Sequence, residues 1–262
     1  EFNVEKWDSQ YDFPAVDRGD VVKSVIPNRR PSGITGFVMN TRNAPFDDWR
    51  VRDALIHAFN FEYINDAMTG GRQPRITSYF SNSVLAMRDG PATGRVAEFL
   101  RPFADDLLPG ALEGYSLPVS DGSLRNRANL RRALSQMEAA GWTIQEGVMA
   151  NAAGDPMTFE ILLRQGSSEV SSIIDLYTDA LKRLGITPKI TTVESAKYTE
   201  RTRDFDFGMA YFRRGLSLSP GNEQRAYWGR DGIDTPGSRN WMGMDSPAAE
   251  ALIDRLVTCA CR

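Results

Sequence analysis

The stretch that decides the fold is MTFEILLRQGSSEVSSIIDLYTDALKRLGITPKITTVESAKYTERTRDFDFGMAYF, residues 157–212. Its patterns predict strands over Met157–Leu163, Pro188–Val193 and Phe205–Phe212, separated by helices over Glu169–Leu184 and Ser195–Arg203. The first helix carries an apolar stripe at helical spacing, and a glycine follows its last residue, as is common at helix ends. Strands that alternate with helices in this order imply right-handed crossovers and at least partly parallel pairing. We therefore expect an α/β domain.

Further elements are expected on both sides of this stretch. Alternating or β-branched runs favour strands at Val21–Ile26 and Ile34–Asn40. A hairpin is expected between Thr143–Met149 and Met157–Leu163, turning at Asn151–Pro156. Helices are expected at Asp47–Phe59 (capped by Asp47 or Asp48), Phe61–Met68, Thr93–Leu108 (broken at Pro102), Asn129–Ala140 and Ser246–Arg262.

Composition excludes several function classes. The chain has 262 residues and a formal net charge of −3, which argues against binding driven by nucleic-acid phosphates. No run approaches the roughly 20 apolar residues that cross a bilayer. The two cysteines, Cys259 and Cys261, are too few for a disulfide framework or a four-ligand zinc site. A Ser-His-Asp hydrolase would have to use the one histidine, His57, which lies off the apolar face of its helix and near Asp53.

Two other motifs point to function only weakly. Asp206-Phe207-Gly208 matches the kinase metal-binding triplet, but the chain has no glycine-rich phosphate loop and no HRD-type loop. We interpret this triplet as part of a core strand with one heavily packed face. Arg125, Arg127, Arg131 and Arg132 cluster at the start of a helix, where they are either a solvated face or an anion site.

The loop Arg213–Gln224 is the candidate recognition site. Ligands of open α/β sheets bind beyond the carboxyl ends of the strands, and this loop follows the last predicted strand. Arg213 and Arg214 offer guanidinium forks that suit carboxylates, and polar side chains follow at Ser217, Ser219 and Asn222. Pro220 is expected to start a helix that reaches Trp228 and leaves backbone N–H groups facing a ligand. On these residues alone, recognition and a purely structural loop both remain open.

Several long motifs resemble one known family. They are FVMNTRNAPFDDWRVRDALIHAFNFEYIN (residues 37–65), AAGW (139–142) before TFEILL (158–163), LKRLGITPKITTVESAKYTERTRDFDFGMAYF (181–212) and NWMGMDSPAAEALIDRLV (240–257). The chain resembles the family 5 extracellular solute-binding proteins, the peptide-binding components of ABC importers. TSYFSNSVLA (77–86), RNRANLRRAL (125–134) and LSPGNEQRAYWG (218–229) are most similar to the Yej-type branch. These motifs cover nearly the whole chain.

The resemblance implies one lobe of a two-lobed, type II periplasmic-binding-protein fold, with a mixed sheet flanked by helices. Residues 1–33 would be the crossover from a first lobe, and residues 34–262 the second lobe, in a chain cut at both ends. The implied function is capture of an oligopeptide or peptide-like solute in the periplasm, by closure of the lobes, and its delivery to a membrane permease. The resemblance implies no catalysis, cofactor, metal or nucleic acid.

The resemblance also bears on the site. Tyr79 and Phe80 would add an apolar wall to the polar residues of the loop. Dipeptide-binding relatives carry an aspartate after the last strand that holds the peptide's amino group, but here no acid occurs before Glu223. A ligand with a carboxylate, a phosphate or a longer peptide backbone therefore suits this loop better than a dipeptide. The alternatives are a ligand-sensing domain of a transcriptional regulator and, less favoured, a hydrolase.

Overall fold

The computed structural model describes residue 7 and residues 9–259. Its main sheet has four strands in the order β1-β6-β4-β5. β6 is parallel to β4, which is parallel to β5, whereas β1 is antiparallel to β6, so the sheet is mixed. β2 and β3 form a separate two-stranded hairpin. The strands are β1 Ile34–Met39, β2 Thr143–Gln145, β3 Val148–Ala150, β4 Glu160–Arg164, β5 Lys189–Val193 and β6 Met209–Arg214.

Helices cover much of the remaining chain. They are α1 Pro14–Asp17, α2 Trp49–Ala58, α3 Phe61–Thr69, α4 Gly94–Leu100, α5 Arg127–Ala139, α6 Ser168–Lys182, α7 Ser195–Arg203, α8 Glu223–Trp228 and α9 Pro247–Cys259, with 3-10 turns at Arg101–Asp106 and Arg230–Gly232. The predicted cap of α2 is confirmed at Asp48, whose side chain accepts the N–H of Arg50. The predicted break near Pro102 is also confirmed, because the α-helix there gives way to the 3-10 turn.

The main hydrophobic core lies between one face of the sheet and helices α2, α5 and α6. Val51, Leu55 and Met137 are among its fully buried side chains, as the helical spacing predicts. The hydroxyl of Tyr177 donates to the carbonyl of Leu55 at 3.0 Å, so this ring is buried without leaving its polar end unsatisfied. Burial raises the pKa of Tyr177 well above its ordinary value.

A smaller cluster covers the opposite face of the sheet. Leu162, Phe207 and Ala210 are buried there, and the ring of Trp241 packs against Phe207 and Phe212. The expectation that the last strand has one heavily packed face is therefore wrong. Met209 belongs to the main core and Ala210 to the second cluster, because successive strand residues point to opposite faces and both faces are covered.

The DFG triplet lies in a tight turn before β6. The predicted strand Phe205–Phe212 begins at Met209, since Phe205 has a φ of +57° and turns the chain. The buried side chain of Asn40 fixes this turn, donating to the carbonyls of Phe205 at 2.9 Å and Phe207 at 3.0 Å. Asp206 lies 2.8 Å from Arg201, so its carboxylate serves an ion pair.

Two predicted strands differ in the structure. Val21–Ile26 is exposed and irregular, and no strand among the described residues pairs with it. The hairpin expected between Thr143–Met149 and Met157–Leu163 forms only at its turn, where Ala150 pairs antiparallel with Pro156 and the N–H of Met157 donates to the carbonyl of Met149 at 2.7 Å. Thr143–Met149 is itself folded back at Glu146-Gly147, where both residues have positive φ, and β4 instead joins the main sheet.

Candidate functional site

Four loops meet at the carboxyl end of β6. Ile34 pairs with Arg214, so the segment that leads into β1 runs past the end of β6. The N–H of Ser32 donates to the carbonyl of Ser81 at 2.9 Å, which joins this segment to the loop of residues 77–83. We call the region formed by residues 28–33, 77–83, 213–228 and 235–240 the β6-end surface.

Gly33 makes the close approach of these segments possible. Its φ is +69°, and a Cβ built on it would lie 2.0 Å from the carbonyl oxygen of Arg214. Only glycine fits both the backbone conformation and the space. A side-chain amide completes the junction, because Asn82 donates to the carbonyls of Asn28 and Arg30, each at 3.0 Å.

Tyr79 lies on the β6-end surface, as predicted. Its ring packs on Trp228 with 4.4 Å between the ring centroids, and Tyr79 remains 38% exposed. Desolvation raises the pKa of Tyr79. The indole N–H of Trp228 donates to Gln224 at 2.8 Å, which fixes the orientation of this aromatic pair. Phe80 is half-buried, and its carbonyl accepts the hydroxyl of Ser83 at 2.7 Å.

The two predicted arginines point to opposite faces of β6. Arg213 is exposed, whereas Arg214 is half-buried and its Cζ lies 5.4 Å from the ring of Phe212, on the same strand face. The same guanidinium lies 4.9 Å from the ring of Tyr227 in α8. Arg214 is therefore held against an aromatic wall, and Arg213 belongs to a different face.

The loop after β6 largely bonds to itself. Ser217 accepts the N–H of Ser219 at 3.1 Å, and Glu223 accepts the N–H of Gly221 at 2.9 Å. The Gly221 hydrogen bond is the largest of the effects that lower the pKa of Glu223. The helix begins at Glu223, preceded by Asn222, so the prediction that Pro220 starts it is wrong.

Two of the N–H groups that were expected to be free at this helix start donate hydrogen bonds within the turn. The N–H groups of Gln224 and Arg225 donate at 3.1 Å to the carbonyls of Gly221 and Asn222. These short-range hydrogen bonds turn the chain at the start of the helix. They use N–H groups that were expected to face a ligand. Ser219 and Asn222 are exposed, so their side chains remain accessible.

Tyr227 and Arg239 were not among the predicted site residues. The Cζ of Arg239 lies 5.6 Å from the Tyr227 ring, and its Nη1 donates to the Tyr227 hydroxyl at 3.2 Å. Tyr227 thus contacts two guanidinium groups, those of Arg214 and Arg239. Burial, and next the charge of Arg239, lower the pKa of Arg214. The distance along the chain between these residues left no local pattern that could have revealed the cluster.

His57 lies elsewhere and is poorly suited to catalysis. Its side chain is 14% exposed, its Nε2 lies 3.9 Å from Asp53, and its Nδ1 is buried without a hydrogen bond to any residue that the structure describes. Burial lowers the pKa of His57, although Asp53 opposes the effect. Within the described part of the chain, no three His, Cys, Asp or Glu side chains are grouped as metal ligands would be.

The basic cluster of the sequence borders a separate groove of about 690 Å³. Arg125, Arg127 and Arg131 lie at its rim with Arg183, whose Nη1 donates to the carbonyl of Leu124 at 2.7 Å. The groove shares no residue with the β6-end surface. No helix among the described residues has the length and apolar character required to cross a membrane.

The β6-end surface lies at one end of an α/β domain with a mixed sheet. Its parallel strands direct their carboxyl ends toward a surface of aromatic and cationic side chains, the arrangement in which open sheets bind ligands. The chain belongs to the bacterial extracellular solute-binding proteins, family 5, whose family model matches residues 1–235. The family resemblance seen in the motifs is thereby confirmed.

Individual relatives are consistent with this assignment. A protein of Agrobacterium fabrum named "Probable peptide-binding protein YejA" is 38% identical over 261 residues, covering 98% of this chain and 42% of the relative. The peptidoglycan-binding protein YepA of the same organism is 35% identical, covering 96% of this chain and 41% of its own length. The chain thus spans about two-fifths of the length of the curated relatives that it matches.

A solved structure confirms the expected fold class. The oligopeptide-binding protein AppA of Bacillus subtilis, in complex with a nonapeptide, matches with a TM-score of 0.65 at 18% identity. The match covers 97% of this chain and 46% of AppA, as expected for one lobe of a two-lobed α/β protein.

Proposed function

We propose that this chain is the second lobe of a periplasmic solute-binding protein that captures an oligopeptide or peptide-like solute and delivers it to the permease of an ABC importer. The observation that carries the proposal is the β6-end surface, where the Tyr79–Trp228 stack lies beside the residues that follow β6. Two relatives are named for binding peptides or peptidoglycan, which supports a peptide-like solute.

The domain boundaries belong to the same proposal. Residues 1–33 would form the crossover from the first lobe, and residues 34–262 the second lobe. In support, residues 18–30 are exposed and lie outside helices and strands, as suits a connecting segment. β1 starts at Ile34 and brings the chain into the main sheet.

The mechanism requires no chemical step. A solute that contacts both lobes stabilises the closed arrangement relative to the open one, and this differential affinity drives closure about a hinge. In this lobe, Tyr79 and Phe80 would offer apolar contact. Ser217, Ser219 and Asn222 would offer hydrogen bonds to peptide groups, and Arg213 or Arg214 would bind an anionic or carbonyl group.

The electrostatics of the loop favour an anionic solute over a dipeptide amine. The first acid after β6, Glu223, accepts hydrogen bonds from the N–H of Gly221 at 2.9 Å and the side chain of Gln224 at 3.1 Å. Its carboxylate is thus partly satisfied within the loop. Arg213 and Arg214 precede it, and their charge repels an ammonium group.

The test is calorimetry on the complete protein that contains this chain. Mass spectrometry first identifies the peptides that co-purify with it, and these are then synthesised and titrated. We expect Arg213→Ala with Arg214→Ala to weaken peptide binding at least tenfold, and Tyr79→Ala to weaken it several-fold. Lys182→Ala is the control, because Lys182 is exposed and pairs with Asp179 at 3.1 Å on α6, outside this surface.

Unchanged affinity in the double variant would show that the site is misplaced. Turnover of a bound peptide that disappears in His57→Ala would support the hydrolase alternative. Specific DNA binding by the complete protein would support the regulator. A cytoplasmic location in cell fractionation would contradict the periplasmic assignment.

A further inference from the structure

We propose that Arg214, Arg239 and Tyr227 form a carboxylate-binding subsite on the β6-end surface, so that the captured solute presents a carboxylate there. This inference rests on the proposed function, since it assumes that a solute occupies this surface. It adds the chemical class of the group that is recognised and two residues, Tyr227 and Arg239, that the loop motif does not contain.

The geometry assembles two cations around one ring. The Cζ atoms of Arg214 and Arg239 lie 4.9 Å and 5.6 Å from the ring of Tyr227, which is only 8% exposed. Contact with an aromatic ring holds a guanidinium through its quadrupole and leaves the edge N–H groups available. Phe212 adds a second ring beside Arg214 at 5.4 Å. Both arginines are thus oriented before a ligand arrives.

The charges of the cluster are not balanced. Among residue 7 and residues 9–259, no carboxylate oxygen lies within 4.0 Å of either guanidinium, although Arg201, Arg225 and Arg230 all form such pairs. The Nε of Arg214 is buried and has no hydrogen-bond partner among these residues. A buried donor without a partner is unfavourable by roughly 1–3 kcal/mol, so such groups are rare without a functional reason.

Desolvation and repulsion act on the same residue. Burial is the largest effect that lowers the pKa of Arg214, and the charge of Arg239 is the next. An anion bound between the two guanidiniums would remove the repulsion and supply acceptors for their N–H groups. A carboxylate fits because its two oxygens match the parallel N–H groups of a guanidinium edge.

Access to the cluster comes from the side of Arg239. Arg239 is exposed, whereas Arg214 is half-buried and Tyr227 is buried. The aromatic contacts continue from Tyr227 to Trp228 at 6.1 Å and from Trp228 to Tyr79 at 4.4 Å. A peptide that lies along this aromatic row would therefore present its carboxylate, terminal or side-chain, to the arginine pair.

The test follows the arginine Nε–Hε signals of the ¹⁵N-labelled complete protein that contains this chain, by NMR during titration with sodium acetate. Sodium chloride at equal ionic strength is the control, and inorganic phosphate is a second probe. We expect acetate to shift the Arg214 signal saturably and chloride to leave it unchanged. Arg239→Gln should weaken acetate binding at least tenfold. The matched control Arg230→Gln should not, because Arg230 is exposed and pairs with Asp245 at 2.7 Å.

Several outcomes would overturn the subsite. These are no saturable shift with acetate, an equal shift with chloride, or unchanged acetate binding in Arg239→Gln. Binding of phosphate but not acetate would refute the carboxylate assignment. Arg239 is exposed, so Arg239→Gln is expected to fold, and its backbone spectrum verifies this in the same experiment.

A peptide pair separates this inference from the proposed function. Trialanine and trialanine amide differ only at the terminal carboxylate, and both are titrated into the complete protein. If both bind equally well, the protein captures peptides but the carboxylate subsite is wrong. If neither binds while acetate still shifts Arg214, the subsite stands and peptide capture is contradicted.

Discussion

Substitution of Gly33 tests how the β6-end surface is assembled. In Gly33→Ala, the new Cβ would lie 2.0 Å from the carbonyl oxygen of Arg214 and 3.0 Å from the Cα of Gly215. Both neighbours are backbone atoms, which cannot rotate away as a flexible side chain would. The φ of +69° adds strain of about 1–2 kcal/mol for a residue with a Cβ.

Relief of the clash requires the start of β1 to separate from the end of β6. Loss of one or two hydrogen bonds at the Ile34–Arg214 pairing contributes about 1 kcal/mol each. We therefore expect the free energy of unfolding of Gly33→Ala to fall by about 3 kcal/mol. The displacement of Arg214 should also weaken solute binding.

The measurement is urea denaturation of the wild type and both variants, followed by tryptophan fluorescence. Gly36→Ala is the matched control, because Gly36 lies in β1, its φ is not positive, and no atom lies within 4 Å of its added Cβ. We expect Gly36→Ala to be as stable as the wild type or more stable by about 0.5–1 kcal/mol. If the two alanine variants have the same stability, the close approach of Gly33 to Arg214 does not constrain the fold.

Three further substitutions test the scaffold. Arg201→Gln removes the ion pair between Arg201 and Glu160, whose Nη2 and Oε2 atoms lie 2.6 Å apart. Burial alone would raise the pKa of Glu160, but hydrogen bonds, led by the one from Arg201, lower it. The pKa of Glu160 is lower in the folded than in the unfolded protein, so the wild type should be more stable than Arg201→Gln by about 1 kcal/mol at pH 7. In urea denaturation at a series of pH values, this difference should shrink below about pH 4.5. A difference that stays constant with pH would argue against this pair. Tyr177→Phe should lower the unfolding free energy by about 1 kcal/mol through loss of the hydroxyl bond to Leu55, and a neutral result in thermal unfolding would contradict that role. Asn40→Ala should lower it by about 1–3 kcal/mol because it removes two hydrogen bonds to the carbonyls of Phe205 and Phe207 in the turn before β6; retention of wild-type stability in urea would show that the turn does not depend on Asn40.

Local patterns predicted the elements whose formation depends on nearby residues. The helix expected at Ser195–Arg203 is observed with the same bounds, and Ile34–Asn40 differs from β1 by one residue. Thr202 is the buried residue of this helix and no residue of β1 is fully buried, so the bounds follow from local propensity and neighbouring turn residues rather than from one buried apolar face. Val21–Ile26 has an acceptable strand pattern but lacks a neighbouring strand, which a local pattern does not reveal.

The candidate site was predictable only in part. The position of the loop after β6 and the aromatic residue Tyr79 follow from motifs, and the structure brings Tyr79 to Trp228. The contact of Arg239 with Tyr227 depends on a long loop that folds back onto α8, so spacing along the chain gives no signal for it. The expected hairpin stops at its turn for a similar reason, because β4 pairs with β5 and β6, which follow much later in the chain.

The pairing of β1 with β6 has a consequence for how the chain reaches its folded state. Ile34 and Arg214 are about 180 positions apart, so β1 leaves the ribosome on the order of ten to forty seconds before its partner at 5–20 residues per second. Contacts of such high sequence separation form late and slowly. β6 can pair with β4 first, and its other edge then stays open to strands of other chains until β1 arrives. Aggregation during biosynthesis should therefore respond most to changes that delay β1, and the β6-end surface would be among the last parts of the molecule to form.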